Sequence, residues 1–132
     1  MSLHGILGYA SVALAALAFI FNLDALRRRA LASDRAMFVC LAAGVIVQVP
    51  ALASGVVVNA AGAVSAARLA PYNFFVAGSF FTLTCALTVW RGVNPGVVWD
   101  EDKWLSFAAG NLGNVLLGAA LVALGRFSLA GA

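Results

Sequence analysis

An α-helix needs about 20 consecutive apolar residues to cross the hydrocarbon core of a bilayer. This chain holds four runs of that kind, at roughly residues 3–26, 36–64, 71–90 and 104–124. Inside lipid every backbone N–H and C=O must find a partner within the protein, so only helices and closed barrels span. No stretch shows the two-residue alternation of a barrel strand, and the Ala and Leu content favours helix. The expected fold is an all-α membrane protein: one transmembrane domain over residues 1–132, with four helices in a compact bundle.

Composition agrees with that solvent. The chain is 64% hydrophobic and 10% charged, with a mean hydropathy of +1.01. A soluble domain carries about 25% charged residues. The net charge is only +3, and the arginines flank apolar runs rather than covering a face. Nucleic acid is therefore not an expected partner. Cys40 and Cys85 fall inside spans with no ligand-spaced companions, as buried small side chains do.

The breaks between spans carry ordinary signals. "RRRALASDR" separates the first two, where Ser33 or Asp34 is expected to cap the second helix. Pro71 suits a first helical turn. Asn94-Pro95-Gly96 reads as a turn, and Asp100, Glu101 and Asp102 sit where a helix N-terminus favours negative charge. The first run resembles a signal peptide in length, but its basic cluster follows it, which suits a first membrane helix.

Orientation follows from the basic residues. The first and third loops share a side that carries Arg27, Arg28, Arg29, Arg35, Arg91 and Lys103, against Arg68 and Arg126 on the other. The first side is expected to face the cytoplasm, or the matching stroma or matrix. Both termini then lie on the non-cytoplasmic side of a bacterial inner membrane or organelle membrane. Trp90, Trp99 and Trp104 sit at the same boundary, as an aromatic belt does.

The second span is longer than a crossing needs, with Pro50 in its middle and Gly55 after it. An interior proline removes one helix bond, so a kink at Pro50 is expected, with a separate short turn from Val56 onward. Gln48 is placed to bond a carbonyl freed by that kink.

The polar residues inside the spans bear on function. "GNLGN" puts Asn111 and Asn114 into the fourth span. Ser106, Gly110, Asn114 and Gly118 recur every four residues, with Asn111 and Gly113 alongside. Small residues at that spacing let helices approach, and amides then bond across the contact. Gly78 and Thr82 give the third span a matching small-residue face, beside further hydroxyls. The alternative is that these amides, with Gln48, Asn59 and Asn73, line a path or touch a cofactor, because polar groups at membrane depth suggest function. His4, the only histidine, lies at the termini-side boundary, where axial ligation of haem or pigment is chemically open. Asp24 is spaced to pair with Arg27 or Arg28. The acidic run at Asp100, Glu101 and Asp102 fits a solvated cap better than a metal site.

No catalytic set can be assembled: one imidazole, no carboxylate pair within a span, and no phosphate loop. An enzyme is not the expected reading. No metal or cofactor is required, although bound lipid, pigment, quinone or haem is compatible with the apolar surface. The leading expectation is a non-catalytic accessory subunit of a larger membrane complex, respiratory or photosynthetic, docking through the small-residue stripes. Its partners would be the bilayer and other membrane subunits. The second expectation is a small homo-oligomeric transporter or channel with a path lined by Asn111, Asn114, Gln48 and Asn59.

Overall fold

The computed structural model describes residues 3–60 and 70–130, with side chains described over 3–54 and 75–124. Helix α1 spans Leu3–Arg28, α2 Leu31–Ala60, α3 Ala70–Val93 and α4 Trp104–Ala130, and a 3-10 turn at Val97–Trp99 lies between α3 and α4. No strand occurs among the described residues. Each of the four helices is long and apolar enough to cross a membrane. The protein is an all-α bundle of four membrane-spanning helices. Neighbours in sequence are neighbours in space, and α1 also packs on α4, which closes the ring.

The helices extend beyond the apolar runs at several ends. Arg27 and Arg28 continue α1, because a charged head can leave the hydrocarbon while its backbone stays helical. Only Arg29 and Ala30 separate α1 from α2. Arg29 makes that turn with φ of 49°, a left-handed conformation that usually falls to glycine after a helix. The turn is so tight that α2 begins at Leu31, ahead of Ser33 and Asp34. The expected caps are therefore first-turn residues, and both point into the bundle.

Pro50 does not end α2. The helix is unbroken from Leu31 to Ala60, so no separate turn begins at Val56. Pro50 is exposed. Residues 61–64 of the expected second span lie outside the described residues.

The α1 face that turns inward is Ser11, Ala15, Ala18, Asn22 and Ala25. The spacing of four, three, four and three residues is that of a bundle seam, and small side chains allow close approach. Large apolar residues such as Ile6, Ile20, Ile46, Phe75, Leu105 and Leu116 face outward, as a lipid solvent allows. The tightly packed apolar core sits at the loop end. It comprises Ala18, Ala25, Met37, Leu41, Leu87 and Phe107, together with Val97 and Val98 of the 3-10 turn. Those two valines are fully buried, so the third loop folds back into the bundle and plugs it. Trp99 fixes the plug by donating its indole N–H to the Ala25 carbonyl at 3.0 Å. The Trp90 and Phe107 rings meet edge to face at 5.4 Å.

Candidate functional site

A seam of polar side chains runs inside this bundle. Its centre is Thr84 on α3, which joins three helices. The Thr84 hydroxyl donates back to the Phe80 carbonyl at 2.8 Å. It accepts from Gln48 Nε2 on α2 at 2.9 Å and from Asn114 Nδ2 on α4 at 3.0 Å. One donor and two lone pairs are thereby all used. All three residues are at most 3% exposed, so the knot is closed to the surroundings.

Asn111 lies one helical step from Asn114 toward the loops, about 4.5 Å along the axis. Its Nδ2 donates to Asn22 Oδ1 on α1 at 3.0 Å. This pair is incomplete. Asn22 Nδ2 and Asn111 Oδ1 are buried with no hydrogen-bond partner. One donor and one acceptor of the amide pair are thus left over inside the bundle. Left dry, each group would cost about 1–3 kcal/mol.

Toward the loops the seam becomes ionic. Arg91 on α3 grips Asp34 on α2 through two bonds, Nε to Oδ1 at 2.9 Å and Nη2 to Oδ2 at 2.6 Å. The side chains are 9% and 1% exposed. The Phe38 ring lies 4.8 Å from the guanidinium carbon and covers it. Asp24 of α1 sits nearby at the helix end. It accepts from Arg28 at 2.7 Å, at the expected four-residue spacing, and from the Ser33 hydroxyl across the turn. At the opposite end, His4 Nδ1 and Ser54 Oγ pair at 2.9 Å and link α1 to α2.

The other candidate residues scatter. Gly110 and Gly118 do face inward and permit close contact. A Cβ on Gly110 would stand 2.9 Å from Leu87 Cδ2, and one on Gly118 would stand 3.3 Å from both Val12 methyls. Gly113 has ordinary space beside Leu83. Ser106 is exposed, so the four-residue stripe does not stay on one side of α4 over its whole length. Gly78 and Thr82 are exposed too, and Thr82 returns its hydroxyl to the Gly78 carbonyl at 2.8 Å. They line an outward groove with Phe75, Ser79, Leu83, Ala86 and Leu117. Gln48 bonds Thr84 across the helix interface rather than a carbonyl near Pro50. Asn59 and Asn73 lie outside the residues with described side chains.

Asn22, Thr84, Ser33, Asp34 and Arg91 complete the seam; sequence reasoning placed Thr84 only among the hydroxyls of the third span and did not single out the other four as site residues. For Asn22 a signal exists: it occupies one step of the Ser11–Ala15–Ala18–Asn22–Ala25 spacing that marks the buried face of α1. Asp34 and Arg91 lie 57 residues apart, and nothing local ties them together.

The seam's middle is neutral. Amides and hydroxyls there can exchange hydrogen bonds with water or a polar solute, but cannot carry protons by titrating. Among the described residues no group of three or more His, Cys, Asp or Glu could hold a metal ion. Compared with known proteins, the chain matches no family model, no curated protein and no solved structure.

Proposed function

We propose that this chain is a small membrane transporter or channel whose path follows the buried seam from His4 and Ser54, past Thr84 and Asn111, to Asp34 and Arg91. The observation that carries this reading is the polar interior itself. Every helix contributes a buried polar side chain, and two of their hydrogen-bonding atoms have no partner within the protein. A bundle held by packing alone needs no such pair. In this reading the closed bundle is an occluded state, with the buried Val97 and Val98 and the Arg91–Asp34 pair blocking the loop end. Opening would separate α2 from α3 at that pair. Because α2 is continuous through Pro50, the path does not depend on a broken helix. The solute class that fits is small, polar and uncharged, since no charge in the middle would offset that of an ion. The loop side, with its six basic residues, is assigned to the cytoplasm or its equivalent, and fusions of reporter domains to each loop test that assignment.

The outward groove at Gly78, Ser79 and Thr82 favours a second reading, in which another helix docks there. That helix would belong either to a second copy, as in a homo-oligomeric transporter, or to a host complex, as an accessory subunit requires.

The test is flux. Purified protein is placed in liposomes, and swelling is followed by light scattering with water, urea and small polyols, alongside dye-reported ion flux. The expected result is solute entry above protein-free liposomes, abolished by Asn111→Leu with Asn114→Leu. Silence toward all of these solutes, with co-migration alongside other subunits on native gels, would replace the transport reading with the accessory one.

A further inference from the structure

A second site lies outside the seam, on the loop-side rim between the end of α1 and the third loop. Leu23, Leu26, Arg27, Arg29, Trp99, Glu101 and Trp104 line a groove of about 570 Å³ there. Its chemistry is graded along the membrane normal. Leu23 and Leu26 form the apolar end, and Arg29 lies six residues beyond Leu23. A helix covers about 9 Å over that span, although Arg29 itself has left the helix. Two tryptophans flank the gradient, and the Trp99 N–H is already committed to Ala25. What Trp99 offers the groove is therefore apolar surface.

The charges are unequal in their duties. Arg28 is held by Asp24, and Arg91 by Asp34. Among the described residues Arg27 and Arg29 make no ion pair, although the Arg27 charge acts on Asp24 and Glu101 shares their groove. Arg29 also occupies the left-handed position that glycine fills at lower cost. A strained arginine without a partner, opening on a lipid-facing groove, is poorly explained by the turn alone. With Arg27, Arg29 and Glu101 the groove carries one net positive charge, which one anionic headgroup neutralises.

We infer that this groove binds an anionic glycerophospholipid of the loop-side leaflet, with its phosphodiester between Arg27 and Arg29 and its acyl root on Leu23, Leu26 and the tryptophans. The site is independent of any transport activity. It would tie the closed third loop to the surrounding leaflet.

The test uses the whole protein in phosphatidylcholine vesicles doped with brominated phosphatidylglycerol or brominated phosphatidylcholine. Bromine quenches nearby tryptophan, and Trp90→Phe removes the one tryptophan outside the groove. The expected result is stronger quenching by the anionic lipid. Arg27→Gln and Arg29→Gln should each weaken the preference about fivefold. Arg35→Gln removes the same charge from an exposed position outside the groove and should leave the preference intact. Arg29→Gly should lower lipid preference without lowering the melting temperature, because glycine suits the turn. Equal losses from the Arg35 and Arg29 variants would mean a diffuse surface potential and overturn the site. Displacement of the brominated lipid by inorganic phosphate would show a free-anion site and overturn it equally.

Discussion

The two halves of this bundle solve the problem of buried polarity differently. At the loop end, charge is buried only where it is fully matched. Arg91 and Asp34 meet in a two-bond fork under Phe38, and Met37, Val97, Val98 and Phe107 belong to the apolar core at the same end. In the middle no charge is buried at all, and neutral groups are shared among helices. There the matching is looser: Thr84 is saturated, while Asn22 and Asn111 each keep an open atom. The difference follows from cost. An unmatched ion in low dielectric is intolerable, whereas an unmatched amide is expensive but survivable. Incomplete matching is therefore tolerable only where the seam is neutral, and that is where the proposed transport path places its guest.

The comparison is broken most severely by stranding a charge. Asp34→Ala leaves Arg91 buried alone and should destabilise the fold by about 3–5 kcal/mol. Asp34→Leu with Arg91→Leu should recover much of that loss, as read from unfolding in mixed micelles. If the double variant is no better than the single one, the pair is not what ties α2 to α3.

A middle-sized effect is expected at the glycines of the α4 interface. Gly118→Ala must push against the branched Val12 and the Phe80 ring, and should cost about 1–3 kcal/mol. Gly110→Ala meets only the far end of Leu87, which can turn away, and should cost less. Gly78→Ala meets nothing within 4 Å, and its stability should stay within about 0.5 kcal/mol of wild type. A clear change in oligomeric state from that last variant would instead mark the outward groove as a docking surface.

The neutral middle should respond more gently. Thr84→Val removes the shared acceptor of Gln48 and Asn114, with an expected loss of about 0.6–2 kcal/mol for each bond. Asn22→Leu with Asn111→Leu removes both open atoms together, so stability should hardly change. Flux through the seam should nonetheless fall. Stability and flux moving together in that variant would contradict the separation drawn between the two halves.

Much of the architecture was legible in the sequence. Run lengths define four spans, and hydrocarbon excludes anything but helix for such runs. The turn at Asn94-Pro95-Gly96 was legible too, and it closes with a bond from Val97 N–H to the Asn94 carbonyl at 3.0 Å. Site geometry was legible only in part. "GNLGN" announces its own polarity, so Asn111 and Asn114 stand out. Their partners do not, because Asn22 and Thr84 come from other helices and the pairing depends on rotation about each axis. Ser33 and Asp34 resemble caps from local spacing, and only the two-residue turn at Arg29–Ala30 reveals that they face inward. Gly78 and Thr82 look like packing residues by composition, yet α3 is rotated to leave them outside.

The central claim is that the neutral half of the seam admits a guest, so its hydration is the most direct test. Water-edited solid-state NMR in lipid bilayers transfers polarisation from mobile water to protein sites within reach. With side-chain amides assigned, transfer to Asn22 and Asn111 should build up rapidly, ahead of apolar neighbours such as Ala18 and Leu87. If those two amides stay as dry as Ala18 and Leu87, they are packing contacts, and the seam is not a path.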